Sequence, residues 1–344
     1  DTAGSTGGDA SVNDVISSIP LAAGEDSQNN DFGEIKPASL SGNVYADANN
    51  DGAFAGTESG IGGTTVTLSG TDHNGDAVTQ STTTGADGSY SFSDLLPGTY
   101  VVTETQPADY LDGKDTAGST GGDASTNDII SAIPLAAGDD SINNNFGELA
   151  PAKICGNVYA DNNNDGTFQG SETGVSGATV TLSGTDDNGD AVSASASTGA
   201  DGSYCFEDLR PGTYTVTETQ PAEYEDGKDT AGTTGGDATT TNDVIADIPI
   251  SAGDDSQDNN FGEVAPATLS GHVYEDDNNN GAFETGAGEA PIVGATLTLT
   301  GTDHNGIAVT HTTTTNADGY YEFDVLPGTY TVTETQPADY LDGK

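Results

Sequence analysis

The chain of 344 residues is strongly acidic, with 56 Asp and Glu against 6 Lys and Arg and a formal net charge of −50. Such a surface repels nucleic acids and anionic lipids, and no apolar run approaches the roughly 20 residues of a membrane span, so neither nucleic-acid binding nor membrane insertion is expected. With 48 Gly, no Trp and 32% hydrophobic residues, one large core is excluded, whereas small, thin domains are possible.

The predicted elements are short β-strands, because apolar residues alternate with Thr and Ser along the chain. A first strand is expected at 40–44 and a second at 66–68, and the Asn74-Gly75 hairpin signal leads into a polar third strand at 78–84. Further strands are expected around the following residues: Tyr90 and Phe92, Tyr100 to Glu104, Ile133 and Leu135, and Phe146. About seven strands per repeat predict a β-sandwich, and no segment has a helical period.

The sequence repeats with a long period: DTAGSTGGDA at Asp1 returns at Asp115 and, with one substitution, at Asp229. A period of 114 residues is that of whole domains rather than of solenoid units. Boundaries are expected at the Pro-containing segments that follow each NNxFGE sequence. The predicted domains are 1–34 (the last part of a repeat), 35–148 and 149–263 (complete repeats), and 264–344 (the first part of a repeat).

Residues 1–34 and 264–344 are complementary parts of one repeat, which leaves two interpretations. The chain is a trimmed piece of a longer array, or it joins head to tail, with 1–34 completing the partial domain of a neighbouring subunit or chain segment. Strand complementation of this kind satisfies open sheet edges. The predicted partners are therefore other copies of the chain, together with other surface or matrix components.

An acidic loop after the first strand of each complete repeat matches the twelve-residue calcium pattern D-x-[DN]-x-[DN]-G-x5-E. Calcium binds hard oxygen donors, and the Gly permits the sharp turn between them. The predicted ligands of the first loop are Asp47, Asn49, Asp51, the Ala53 carbonyl and Glu58. Those of the second are Asp161, Asn163, Asp165, the Thr167 carbonyl and Glu172. The alternative is an Asx-rich turn that binds no metal.

The third loop departs from the pattern. It retains Asp276, Asn278, Asn280 and the Ala282 carbonyl, but its last position is Ala287 and the nearest carboxylate is Glu289. We therefore expect a weaker third site, with Glu289 as its last ligand.

A second acidic group in each complete repeat surrounds a Gly-rich loop, and in the first repeat it contains Asp112, Asp115, Asp123 and Asp128. This group is a further candidate calcium site, and a solvated acidic loop is the alternative.

Several spaced motifs recur in the repeats: GNVYADxNNDGxFxGxExG, TVTLSGTDxNGD, ADGSYxFxDLxPGTYxVTETQPAxY and NNxFGE. Together they are similar to the SdrD B-like repeats of bacterial surface proteins, relatives of the Cna B-type domains. The resemblance covers all three repeats. It implies tandem prealbumin-like or Ig-like Greek-key β-sandwich domains, an extracellular location, secreted or on the cell surface, and calcium-stiffened arrays that form stalks or fibres.

Cys155 and Cys205 are the only cysteines, and they stand where the first repeat has Ser41 and Ser91. In the fold that the resemblance implies, the two strands are neighbours, so we expect a cross-strand disulfide, which suits an oxidising extracellular setting. The alternative is a pair of free thiols.

The resemblance also raises a crosslink, because Cna B-type domains form a Lys–Asn isopeptide bond assisted by a buried Glu. Glu104, Glu218 and Glu334 occupy the place that resembles that Glu. The inward positions of the first strand, where the family has its Lys, are Leu40 and Val44, which argues against the crosslink.

No catalytic constellation is found, and the four His share no pattern, so the chain is not expected to be an enzyme. We predict an extracellular structural array, a calcium-rigidified stalk or fibre subunit. The alternative is an adhesin-type module for a glycan or a host or matrix protein, which usually presents clustered exposed aromatics. Most Tyr and Phe here have core parity. Tyr45, Tyr159 and Tyr274 have outward parity and are expected at domain junctions.

Overall fold

The computed structural model describes residues 1–284 and 288–343, so Ala287 and Lys344 lie outside the described residues. All regular secondary structure in this part of the chain is β-strand, which confirms the all-β prediction. The chain divides into two compact units, Asp1–Ala150 and Pro151–Lys344.

The first unit contains the strands β1 (Asp9–Val12), β2 (Val15–Ser17), β3 (Ala38–Ala46), β4 (Ser59–Gly60), β5 (Thr65–Asp72), β6 (Ala77–Thr83), β7 (Ser89–Leu95), β8 (Gly98–Glu104), β9 (Leu111–Asp112), β10 (Asp123–Thr126), β11 (Ile129–Leu135), β12 (Asp140–Ser141) and β13 (Phe146–Leu149). Strands β3 to β13 form two sheets. One has the order β10-β11-β8-β5-β6, and the other has the order β12-β3-β13-β9, with β4 and β7 also pairing with β3. The pairings of β12 and β13 with β3 are parallel.

The core of this sandwich is formed by the inward side chains of both sheets. Leu40, Val44, Tyr100 and Phe146 are completely buried, as their alternation in the sequence predicts. The turn between β5 and β6 places Gly75 at a φ of 86°, where a residue without a Cβ carries no steric penalty.

The second unit contains β14 (Ala152–Ala160), β15 (Thr173–Gly174), β16 (Thr179–Asp186), β17 (Ala191–Ser197), β18 (Ser203–Leu209), β19 (Gly212–Thr219), β20 (Glu225–Asp226), β21 (Val244–Ile250), β22 (Asp255–Ser256), β23 (Phe261–Val264), β24 (Ala267–His272), β25 (Thr296–Asp303), β26 (Ala308–Thr314), β27 (Tyr320–Val325) and β28 (Gly328–Thr335). Strands β14 to β23 repeat the sandwich, with sheets β15-β14-β23-β20 (to which β18 and β22 are also paired) and β17-β16-β19-β21. Strands β24 to β28 form two small sheets, β24-β27 and β26-β25-β28, over a smaller core.

The expectation that Tyr45 and Tyr159 lie at domain junctions is wrong. Both are completely buried within their own repeat. The ring of Tyr45 lies 4.9 Å from that of Phe54, and the ring of Tyr159 lies 4.8 Å from that of Phe168. Each Phe comes from the acidic loop that follows the strand, so the loop folds back over the outer face and covers the tyrosine. Tyr274 contacts Phe283 in the same way and is partly buried.

Residues 1–34 contain the hairpin β1–β2 and a bridge between Thr2 and Asp31, and they belong to neither large sheet of the first unit. Phe32, the counterpart of Phe146, is 55% exposed, whereas Phe146 is fully buried. The apolar residues of this segment therefore lack the cover that their counterparts have in the complete repeats.

Candidate calcium-binding sites

The first acidic loop begins where β3 ends and turns tightly around Asp47. This side chain is fully buried, and its carboxylate accepts the N–H of Asp51 at 3.2 Å and of Gly52 at 2.8 Å. Asn50 and Gly52 have positive φ values of 51° and 79°, which bring the alternate side chains to the inside of the turn. The side-chain carbonyl oxygen of Asn49 accepts the N–H of Asp51 at 3.2 Å, so the first three predicted ligands are gathered at one turn.

The second loop has the same geometry. Asp161 accepts the N–H of Asp165 at 3.2 Å and of Gly166 at 2.8 Å, and Asp165 in turn accepts the N–H of Thr167 at 2.9 Å. Glu172 reaches back across the loop and accepts the N–H of Asn162 at 3.2 Å. The last predicted ligand is thus drawn toward the start of this loop.

Glu58, the last predicted ligand of the first loop, accepts the N–H of Ala55 at 2.8 Å, just as Glu172 also accepts the N–H of Gln169 at 2.9 Å. Among the described residues, the sets of three acidic side chains with ligand oxygens within 4.8 Å of one another lie outside these loops. The loop carboxylates alone therefore form no closed cage, and any ion there also needs the Asn and backbone oxygens.

In the third loop Asp276 accepts the N–H of Asn280 at 3.0 Å and of Gly281 at 2.8 Å, and Asn280 accepts the N–H of Ala282 at 2.7 Å. Glu289 is buried and accepts the N–H of Glu284, while its other oxygen has no hydrogen-bond partner.

Glu284 was not among the predicted ligands, although its carboxylate accepts a hydrogen bond from Asn278 at 2.9 Å. Its place as the ninth residue of the loop was the available signal, because that position also supplies a ligand, often through water.

Three of the four predicted members of the second acidic group come together in the second repeat, where Asp226, Asp229 and Asp243, the counterparts of Asp112, Asp115 and Asp128, have carboxylate oxygens within 4.8 Å of one another. Asp115 accepts the N–H of Asp128 at 2.9 Å, but Asp123 accepts the N–H of its own neighbour Ser125 at 3.0 Å. Asp128 also lies within 4.8 Å of Glu104 and Glu148, from β8 and β13. Sequence reasoning placed Glu104 facing inward and did not identify Glu148.

The predicted disulfide is present between Cys155 and Cys205, which are directly paired on the antiparallel strands β14 and β18. Ser41 and Ser91 are paired in the same register in the first repeat.

None of the described lysines lies within ion-pair distance of the inward Glu104 or Glu218. In the described part of the chain, the only lysine with a carboxylate within 4.0 Å is Lys153, which pairs with Asp255 at 3.1 Å. Glu104 and Glu218 therefore face other carboxylates rather than an amine.

These observations define a class: tandem all-β sandwich repeats, each with an acidic turn at the end of its first strand. The profile of the SdrD B-like domain family matches residues 38–147, 152–263 and 267–343. The chain belongs to this family, as its motifs predict. The family is one of structural repeats, so the prediction that the chain is not an enzyme is confirmed.

Among its relatives, serine-aspartate repeat-containing protein F of Staphylococcus epidermidis is 33% identical over 298 residues, which cover 86% of this chain and 16% of that protein. Serine-aspartate repeat-containing protein D of Staphylococcus aureus (strain MW2) is 33% identical over 302 residues, covering 86% of this chain and 21% of that protein. The chain thus spans about a fifth of these relatives or less.

The location is extracellular or at the cell surface, as predicted. No helix in the described residues is long and apolar enough to cross a membrane.

Among solved structures, the major pilin subunit of Bacillus cereus is 12% identical, with a TM-score of 0.38, over 90% of this chain and 91% of that one. A TM-score this low supports no conclusion about this chain.

Proposed function

We propose that the chain is a calcium-rigidified structural array, a stalk segment or fibre subunit of a bacterial surface or matrix protein. The observation that carries this proposal is the shared geometry of the three acidic loops. In each, the first Asp accepts the backbone N–H groups of the fifth and sixth loop residues, and Gly occupies the sixth position with positive φ. Oxygen donors presented by such a turn suit Ca²⁺.

An ion bound in the loop would also stiffen the parts of the repeat that contact the loop. Thr116 donates a hydrogen bond from its hydroxyl to the Gly52 carbonyl at 2.6 Å, and Thr230 does the same to Gly166. Phe54 covers Tyr45 from the same loop. Fixing the loop therefore also fixes the cover of the outer sheet face and the segment that follows β9, so metal binding is coupled to folding of the repeat.

The chains associate head to tail in this proposal, with residues 1–34 of one chain pairing with residues 264–344 of the next. Phe32 is 55% exposed, while its counterparts Phe146 and Phe261 are fully buried. In the other partial repeat, Glu334 is exposed although Glu104 and Glu218 are buried. Pairing of 1–34 with 264–344 of a neighbouring chain would bury both sets in one sandwich, as donor-strand complementation does.

Thermal unfolding tests the metal. We expect the melting temperature of the chain to fall in chelator, to recover with Ca²⁺ and to recover poorly with Mg²⁺, which demands near-ideal octahedral geometry. Identical melting curves in chelator and in calcium would refute calcium stiffening.

Electron microscopy of native material tests the fibre. Filaments whose axial period corresponds to three domains support a polymer, whereas dispersed single chains at all concentrations favour a spacer.

A further inference from the structure

One outer strand of each repeat is unpaired along its whole free side. In the first repeat this strand is β6, which ends the sheet β10-β11-β8-β5-β6 and pairs only with β5 among the described residues. Its counterparts are β17 in the second repeat and β26 in the third, and each of the three strands has seven residues. We call these three strands the open edges.

The alternation of hydrogen bonds shows which backbone groups of β6 are free. Just beyond its two ends, Asp72 donates its N–H to the Asp76 carbonyl at 3.0 Å, and Thr84 donates to the Thr64 carbonyl at 2.9 Å. In an antiparallel pair, every second residue exchanges both backbone bonds with the neighbouring strand. The even-numbered residues of β6 therefore bond to β5. The N–H and C=O groups that point away from the sheet belong to Ala77, Thr79, Ser81 and Thr83.

The other two open edges have the same alternation. Asp186 donates its N–H to the Asp190 carbonyl at 3.0 Å, and Asp303 donates to the Ile307 carbonyl at 3.0 Å. The free backbone groups belong to Ala191, Ser193, Ser195 and Ser197 in the second repeat, and to Ala308, Thr310, Thr312 and Thr314 in the third. All the residues with free groups are exposed in all three repeats, so each open edge presents a row of backbone donors and acceptors to solvent.

The other outer strands of the first repeat are poorly suited to pairing. Strands β4, β9 and β12 have only two residues each. Strand β10 contains Asp123 and a shift of register, and β7 contains a shift of register and Asp94 at a positive φ of 58°. Short strands, bulges and charges are the means by which proteins prevent strand addition. The open edges have a regular register and contain no Asp, Glu, Lys, Arg or Pro.

The lack of acidic side chains on the open edges is notable in a chain with a net charge of −50. The neighbouring strand β5 extends the uncharged surface, since its side chains on the outer face are Thr65, Thr67, Ser69 and Thr71. A second copy of the chain is repelled by acidic surface, but along this strand it meets hydroxyl groups and free backbone groups. Like charges are therefore kept out of a contact between two open edges.

We propose that the open edges join copies of this chain side by side, each strand pairing antiparallel with the same strand of a second copy across a two-fold axis. With Gln80 opposite Gln80 of the second copy, Thr79 pairs with Ser81 of that copy, and Ala77 pairs with its Thr83. Every free N–H and C=O group of both strands then has a partner.

The same register also separates the nearest carboxylates. Asp76, which precedes β6, faces Thr84 of the second copy, so no acidic residue of one strand lies opposite an acidic residue of the other. The net charge of the two chains still opposes their approach, and salt that screens it should strengthen the association.

Lateral pairing goes beyond head-to-tail association, because it uses different parts of the chain. Head-to-tail association involves the partial repeats 1–34 and 264–344, whereas an open edge is also present in each complete repeat. Since the edge recurs, one chain can contact more than one other copy. Lateral pairing would therefore gather chains or fibres into bundles.

Proline at a free backbone position tests the proposal on the full chain. The edge variant combines Ser81→Pro, Ser195→Pro and Thr312→Pro, which removes one free N–H from each open edge and leaves the bonds to the neighbouring strand in place. The control combines Ser81→Ala, Ser195→Ala and Thr312→Ala, which keeps those N–H groups. Sedimentation velocity over a range of chain and salt concentrations measures association. We expect the edge variant to associate about tenfold more weakly or worse, and the control to behave like the unmodified chain.

The two modes of association can fail separately. Equal association of the Pro and Ala variants would overturn lateral pairing and leave head-to-tail contacts as the source of any polymer. If the Pro variant is entirely monomeric while the Ala variant associates, lateral pairing stands and head-to-tail association fails. An unmodified chain that remains monomeric at every chain and salt concentration would refute both.

A crosslink tests the register without altering the backbone, and it applies even if the Pro variant does not fold. Gln80 is exposed, and both natural cysteines are held in a disulfide, so Gln80→Cys supplies a single free thiol. In the proposed register the two Cα atoms at this position are about 4.5 Å apart, within the range of a disulfide. Oxidised glutathione should convert this variant to covalent dimers. The control Thr71→Cys, exposed on β5 between two paired strands, should give few, and equal yields of dimer would overturn the pairing.

Discussion

The hydroxyl of Tyr90 donates a hydrogen bond of 2.6 Å to the main-chain carbonyl of Asn144, and Tyr204 donates the same bond to Asn259. Both tyrosines are buried, so water cannot replace the bond if it is lost. Tyr90 lies on β7 and Asn144 just before β13, and both strands pair with β3. The bond therefore fixes the closing segment of each repeat against its first strand.

Replacement of Tyr90 by Phe should destabilise the first repeat by about 1–3 kcal/mol, because the Asn144 carbonyl loses a buried donor while the packing of the ring is kept. Chemical denaturation of the full chain measures the loss. Tyr340→Phe is the matched control, since that hydroxyl bonds Glu275 at the surface. Equal stability of the two variants would show that the buried bond contributes nothing.

A glycine lies beside the same carbonyl. A Cβ added to Gly42 would be 1.7 Å from the Asn144 oxygen, and one added to Gly156 would be 1.7 Å from that of Asn259. We expect Gly42→Ala to cost about 3 kcal/mol or more, because β3 and the closing segment must separate. Gly56→Ala, where a Cβ meets nothing within 4 Å, should leave the denaturation midpoint almost unchanged.

The three acidic loops should differ in how much their last carboxylate contributes. Glu58→Gln and Glu172→Gln each remove a predicted ligand from a complete pattern, and each should weaken calcium affinity by about tenfold or more at that loop. Glu289→Gln should have a smaller effect, because the third loop departs from the pattern. Calorimetric titration with calcium gives the affinities, and an equal loss at all three loops would contradict this ranking.

The Cys155–Cys205 disulfide closes a segment with a sequence separation of 50 residues. In the chain-entropy account, a bridge of this span stabilises the domain by up to about 4 kcal/mol. Replacing both cysteines by Ser recreates the Ser41–Ser91 pair of the first repeat, so the second repeat alone should unfold earlier. Calorimetry resolves the repeats if they unfold as separate units. A shift confined to the first repeat would exclude this explanation.

The sequence predicted the sandwich well because strand parity is a local property. Leu40 and Val44 alternate on β3, and both are buried as expected. For Tyr45 the alternation predicted the correct face of the sheet. It does not indicate what covers that face, so the expected position at a domain junction was wrong. Phe54, nine residues further on, covers it from an irregular loop, and no periodic pattern indicates that contact.

The acidic loops were found because their oxygen donors lie within twelve consecutive residues. The buried carboxylates were found only in part. Asp115 and Asp128 share one loop, but Glu148 joins them through the parallel pairing of β13 with β3, which the sequence alone does not give. Asp123 was wrongly grouped with them because proximity in sequence does not fix where a side chain points.

The positions of the buried carboxylates along the sequence have a consequence for any fibre that the chain forms. Glu104 precedes the point where the 114-residue period restarts at Asp115, whereas Asp128 and Glu148 follow it. The partial repeats carry the same set in two pieces, with Glu334 in 264–344 and Asp14 and Glu34 in 1–34, all of them exposed. If two chains shared one domain, Glu334 of one chain would therefore meet Asp14 and Glu34 of the other, and the like charges at that junction would oppose association. Salt that screens these charges would then favour longer polymers, and low ionic strength would favour their dissociation.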